Sequence, residues 1–279
     1  MFDSDRPPGY PETVNWAVVT TNILDMLAEP RFGAERVNQL LFGHLVRVGT
    51  LRKGYFRVTA RDGYVGWADK RFLRHVSEKE ATRYSRGPFR VVVRGEVKVT
   101  DRHGRTVSPH RLYYGTRLRV ASVREGRAKV LLPAGEQVFY VNAGALQPIP
   151  KTKRLSVTGR EIVRETRKFL GVPYLWGGVT TTGCDCSGLV QTVFGRFGVD
   201  LPRDTRDQIR AGVSVGTEEL VAGDLVFFDR HVAIACGGGR IIHASVGGGG
   251  VRLNSLWPGE PDYRKDLAET LQTARRVLV

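Results

Sequence analysis

The sequence predicts an α+β chain: two small β-barrels, followed by a domain in which helices pack on an antiparallel sheet. The first half matches itself at an offset of 72 residues, and its copies alternate apolar and polar positions between glycine turns. After Ser156 the apolar spacing becomes helical, and near the end two alternating segments flank the turn GGGR.

The repeat pairs Gly43, Val46, Val48, Gly54, Val58 and Gly63 with Gly115, Leu118, Val120, Gly126, Val130 and Gly135. After a one-residue gap, Trp67 and Leu73 fall on Tyr140 and Leu146. The alternation in LVRV and YFRV, and again in RLRV and AKV, is that of short, half-buried antiparallel strands. A unit of about 60 residues is too long for a solenoid repeat, so two barrels are expected, over 12–76 and 87–148. SEKEATRYSRGP (77–88) reads as the linker between them, and QPIPKTKRLS (147–156) as a second linker.

The third domain is expected over 155–279. Thr158 and Glu161 are spaced as a capping box, and Ile162, Val163, Phe169 and Leu170 share a face of the helix that follows. Gly171 and Pro173 end that helix. The loop WGGVTTTG leads through CDCSG into a second helix with Leu189, Val190, Val193, Phe194 and Phe197 on one face. Cys186 is thereby placed at or near a helix N-terminus, where free N–H groups and the helix dipole favour a thiolate and can hold an oxyanion. GDLVFFDRHVAIAC and GGGRIIHAS read as adjacent strands that bring His231 and His243 side by side. A cysteine on a helix tip facing a histidine on a strand is the papain-like arrangement.

Bulk properties exclude some classes. The chain has 279 residues, 41% of them apolar, with a formal charge of +15. The basic residues are scattered, KTKR (151–154) being the densest cluster, and no nucleic-acid-binding motif stands out, so no nucleic acid partner is expected. There is no apolar run of about 18 residues, so no membrane span is expected. MFDSDRPPGYPET lacks the basic and apolar regions of a signal peptide; a cytoplasmic protein is expected, or a secreted one if a leader has been trimmed. Cys184, Cys186 and Cys236 are too few for a disulfide framework. Zinc held by Cys184, Cys186, His231 and His243 is a competing reading, weakened by the tight C-x-C spacing. Taken singly, Cys186 would be an inert helix-start cysteine, His231 a surface histidine and His243 a core one. His44, His75, His103 and His110 are expected on exposed barrel loops or strand edges. No cofactor and no metal are implied.

PYLWGG…GCDCSGLVQ, LPRDT…Q and GDLVFF…HVAIA…GRIIHAS, in that order, resemble the NlpC/P60 cysteine peptidases over roughly 156–279. VNQLLFGHLVRV…DGYVGW resembles the bacterial SH3-like domains attached to wall peptidases, and LYYGTRLRV…GEQVFYV is a weaker copy. The whole layout is similar to γ-D-glutamyl-L-diamino acid endopeptidases of murein peptide recycling. The resemblance implies Cys186 as nucleophile, His231 as general base, His243 as the residue orienting it, and Tyr174 at the oxyanion. It implies Asp204 and Thr205 near the substrate amine, Asp185 and Ser187 on its backbone polar groups, and Trp176 in the pocket. Glu35 and Tyr64 of the first barrel are the candidates for an added carboxylate and tyrosine there. Two carboxylates around an ammonium would demand a free L-Ala N-terminus. The sequence departs from the family pattern at Cys184 and Cys236, expected to pack, and at Ala233, where glycine is usual. A secreted hydrolase of intact wall, or a non-catalytic wall- or polyanion-binding protein, are the alternatives.

Overall fold

The computed structural model describes residues 16–133, 138–150 and 157–278. It divides into two compact units, one ending at Ile149 and one beginning at Pro150. Position Gly135 of the repeat, KTKR, the N-terminal stretch and the expected boundaries at 12 and 155 lie outside the described residues.

The first unit holds two seven-stranded antiparallel sheets. One comprises β1 (Trp16–Val19), β2 (Ile23–Leu27), β3 (Arg36–Leu41), β4 (Leu45–Arg52), β5 (Tyr55–Thr59), β6 (Val65–Asp69) and β7 (Leu73–Val76). After helix α1 (Glu78–Ser85), the other comprises β8 (Phe89–Val92), β9 (Glu96–Thr100), β10 (Thr106–Tyr113), β11 (Arg117–Arg124), β12 (Arg127–Leu131), β13 (Phe139–Asn142) and β14 (Leu146–Pro148). The strand orders are β3-β2-β6-β5-β4-β1-β7 and β10-β9-β13-β12-β11-β8-β14. They are identical once seven is added to each number, so the sequence repeat is a repeat of topology. The β4–β5 and β11–β12 turns are also alike. Lys53–Gly54 and Glu125–Gly126 all have positive φ, as a two-residue type I′ hairpin requires.

The 77–88 segment is not a plain linker. Ser77 and Glu80 form a capping box, and α1 buries Ala81 and Tyr84. The second barrel's core cluster takes in Ala81 together with Val18, Phe42 and Val76 of the first barrel. Two of the expected surface histidines are partly buried instead: His44 accepts the Leu41 N–H through Nδ1, and His75 packs edge-on against Phe56.

The second unit begins with α2 (Gly159–Thr166), whose capping box closes as expected: Glu161 N–H donates to Thr158 Oγ1, and Thr158 N–H donates to Glu161 Oε2. Ile162, Val163 and Phe169 are buried, but Leu170 is 45% exposed. The helix stops at Thr166 and a single 3₁₀ turn follows, which rotates Leu170 off the apolar face. A short hairpin, β15 (Val179–Thr180) and β16 (Gly183–Cys184), leads into α3 (Cys186–Arg196) and then the one-turn α4 (Thr205–Gln208). The sheet comprises β17 (Val213–Val215), β18 (Leu225–Phe228), β19 (His231–Gly237), β20 (Arg240–Ser245), β21 (Gly250–Ser255) and β22 (Thr273–Arg276), in the order β17-β22-β18-β19-β20-β21. Before β22 comes α5 (Lys265–Glu269). Leu189, Val190, Val193, Phe194 and Phe197 are all buried, and α3 packs on β19 and β20. Among the described residues, no helix is long and apolar enough to cross a membrane.

Candidate active site

Cys186 is the first residue of α3, and Asp185 is its N-cap, accepting the Gly188 N–H at 2.7 Å. Close backbone packing fixes this position. A Cβ on Gly188 would lie 2.2 Å from the Gly178 carbonyl oxygen, so only glycine lets the helix start meet the WGG loop.

Sequence reading gave Asp185 and Ser187 to the substrate; their side chains are committed inside the protein instead. Asp185 accepts from Gly177 N–H and forms an ion pair with the buried Arg203 through both carboxylate oxygens. Arg203 also donates to Ser187 Oγ at 2.8 Å, and Ser187 Oγ donates to Asp185. All three residues are less than 7% exposed. A buried carboxylate needs such partners, and Arg203 supplies a two-pronged one. Gln208 completes the support by donating to the Ser187 and Pro202 carbonyls. Arg203 and Gln208 belong to the LPRDT…Q motif, but spacing cannot tell a buried arginine from an exposed one.

Thr205 Oγ1 lies 3.8 Å from Cys186 Sγ. Asp204 precedes α4 but its carboxylate makes no capping bond; it pairs with the exposed Arg206 at 3.4 Å. Tyr174 is partly buried, bridged to Cys184 in the backbone, and its phenol is held in the protonated state by burial and by the neighbouring Cys186 and Asp185. Trp176 is 60% exposed. Cys184 is fully buried and is a free cysteine, as its packing role required. Glu35 and Tyr64 belong to the first unit: Glu35 is exposed just before β3, and Tyr64 packs against the first barrel's core.

On the sheet, Ile234 faces Ile242, so His231 and His243 are diagonal neighbours on one face. His231 Nε2 and His243 Nδ1 are 2.8 Å apart. The next strand adds a residue that sequence reading missed: Asn254 of β21, whose Oδ1 lies 3.0 Å from His243 Nε2. The polar chain therefore crosses three adjacent strands.

The electrostatics differ from the expectation of a poised thiolate. Burial, then the Asp185 charge, pushes the Cys186 thiol above its ordinary value. Hydrogen bonds from the Val232 N–H, the Thr205 hydroxyl and the Ser187 N–H oppose this without overcoming it. Burial, aided by His243 and Arg264, lowers His231 to about 3. Burial thus disfavours the charged form of both the thiol and the imidazole.

The model of the NlpC/P60 family matches residues 171–266, and that of the bacterial dipeptidyl-peptidase Sh3 domain matches 26–71. A γ-D-glutamyl-L-lysine dipeptidyl-peptidase of Bacillus subtilis is 34% identical over 164 residues, covering 56% of this chain and 53% of that protein. The chain thus spans about half the length of that relative. A protein of the same name from Bacillus cereus is 28% identical over 270 residues, with 87% of this chain and 78% of that protein covered. Dipeptidyl-peptidase 6 of Lysinibacillus sphaericus is 29% identical, with 91% and 97% covered. The crystal structure of an NlpC/P60 family protein from Bacillus cereus superposes with a TM-score of 0.82 at 23% identity, covering 95% of this chain and all of that one, which shows a shared fold.

Proposed function

We propose that this chain, whose residues 171–266 match the NlpC/P60 family and whose residues 26–71 match the bacterial dipeptidyl-peptidase Sh3 domain, is a cysteine peptidase of murein peptides that hydrolyses the bond between the γ-carboxyl of D-Glu and a diamino acid, diaminopimelate or lysine. The observation that carries the reading is Cys186 at a helix start, packed on the strand that begins with His231, with His243 hydrogen-bonded behind it.

In this reading, His231 accepts the thiol proton of Cys186 as sulfur attacks the γ-carbonyl carbon. The oxyanion is met by the Tyr174 phenol and by the Cys186 N–H, which as the first helical N–H has no acceptor within its helix. His231 then gives its proton to the leaving amine of the diamino acid. Water, deprotonated by the same imidazole, cleaves the thioester and restores the thiol.

Asp204 supports the finer reading of a free L-Ala N-terminus. It immediately precedes Thr205, whose hydroxyl lies 3.8 Å from the Cys186 sulfur. The test is hydrolysis of L-Ala-γ-D-Glu-diaminopimelate, its lysine counterpart and an N-acetylated copy by the wild type and by Cys186→Ala. Cleavage lost in the variant and confined to free-amine peptides is the expected result. Equal cleavage of the acetylated copy would remove the role given to Asp204. No cleavage by the wild type would sink the peptidase reading.

A further inference from the structure

Asn254 belongs to none of the motifs that point to this site. It is 6% exposed, and it stands on β21 diagonal to His243, which faces Arg252. Its Nδ2 lies 2.8 Å from the main-chain carbonyl oxygen of Asp262. A carbonyl has no proton to give, so the amide is fixed with Nδ2 toward Asp262 and Oδ1 toward His243.

The segment that carries this carbonyl is itself anchored. The Ser255 N–H donates to the same Asp262 oxygen at 3.1 Å, and the Arg264 N–H donates to the Ser255 carbonyl at 2.9 Å. The Asp262 carboxylate pairs with Arg240 on β20. The amide orientation of Asn254 is therefore a property of the folded backbone.

Its consequence runs back to the nucleophile. With Oδ1 as the acceptor, His243 Nε2 must donate. A neutral imidazole has one N–H, so His243 Nδ1 is an acceptor, and His231 Nε2 must donate to it. That leaves the lone pair of His231 on Nδ1. We propose that Asn254, clamped by the Asp262 carbonyl, is a positioning residue that fixes the tautomers of both histidines and so assigns Nδ1 of His231 as the proton acceptor. The proposal rests on the peptidase reading for its catalytic meaning, while the tautomers themselves can be seen without any substrate.

The experiment uses the full chain with ¹⁵N-labelled histidine, and assigns His231 and His243 among the six histidines with His231→Gln and His243→Gln. The expected wild-type spectrum at neutral pH shows an Nε2–H tautomer for both. Asn254→Leu, with the same side-chain branching but no polar atoms, should leave both rings as tautomer mixtures and lower kcat by about tenfold or more with KM little changed. Asn254→Asp, which keeps an acceptor toward His243, should retain the Nε2–H signature of His243 and more activity than the leucine variant. An Nδ1–H tautomer at His243 in the wild type would overturn the proposal even if the enzyme is active. Unchanged tautomers in a folded Asn254→Leu would do the same. Wild-type tautomers as expected in a protein that cleaves no murein peptide would instead support the role of Asn254 and count against the peptidase reading.

Discussion

Replacing Arg203 by methionine would strip the start of α3 of its cation. Arg203 is 3% exposed and Asp185 is 6% exposed, so neither charge has water to fall back on. The guanidinium holds both oxygens of Asp185 and the Ser187 hydroxyl. In Arg203→Met the carboxylate keeps only the Gly177 and Gly188 N–H groups and the Ser187 hydroxyl, with no counter-charge. Removing one partner of a buried pair costs about 3–5 kcal/mol. For a domain of this size that is a fall of roughly 10–20 °C in the midpoint of the second unit's transition. The double variant Asp185→Asn, Arg203→Met removes the orphaned charge as well and should recover most of the loss, a coupling of about 2 kcal/mol or more. Scanning calorimetry of the wild type, both single variants and the double variant measures the cycle. A loss below about 1 kcal/mol in Arg203→Met, or a double variant that merely sums the singles, would refute the view that the pair is a buried structural unit.

Three further outcomes follow from the same geometry. Gly188→Ala puts a methyl group 2.2 Å from the Gly178 carbonyl oxygen, so it should displace the helix start and cut turnover of the murein peptide by about a hundredfold, as a misplacement of about 1 Å can. Thr205→Val removes a hydroxyl whose hydrogen bond favours the thiolate, so the Cys186 pKa should rise and its alkylation by iodoacetamide at fixed pH should slow. His231 is held at about 3 when folded and titrates near 6.5 when unfolded, so the unfolded chain binds more protons between these values. Stability should therefore fall as the pH drops from about 6.5 toward 3, and urea titrations of His231→Gln should show a shallower fall across that window than the wild type.

Much of the fold was legible because glycine turns and alternation are local signals. Gly54 and Gly126 mark the same hairpin in both barrels, and the strand orders repeat as the 72-residue offset implies. The capping box at Thr158 is legible from spacing alone; the equivalent box at Ser77 and Glu80 sits in a polar, proline-ended stretch that resembles a linker. Leu170 shows the limit of extending helical period: a 3₁₀ turn intervened, and the residue points to solvent. At the site, Cys186, His231 and His243 stood out because their residue types are chemically conspicuous. Arg203 and Asn254 did not, because their roles depend on partners 18 and 11 residues away that only the folded sheet and loop bring within reach.

The thiol shows why position on a helix is not enough to fix chemistry. A helix N-terminus contributes about half a positive charge, but Cys186 is 7% exposed and its immediate neighbour is the Asp185 carboxylate. Arg203 is bound to that carboxylate and shields it, yet the net effect of desolvation and Asp185 still favours the neutral thiol. The same burial keeps His231 neutral, and His243 behind it cannot supply the negative charge that would stabilise an imidazolium. A carboxylate in the place of His243 would do so; a histidine backed by an asparagine can only orient. In the proposed reaction, the histidine pair therefore serves to orient the base, and the Tyr174 phenol and the helix-start N–H groups are the donors left to meet the developing charge.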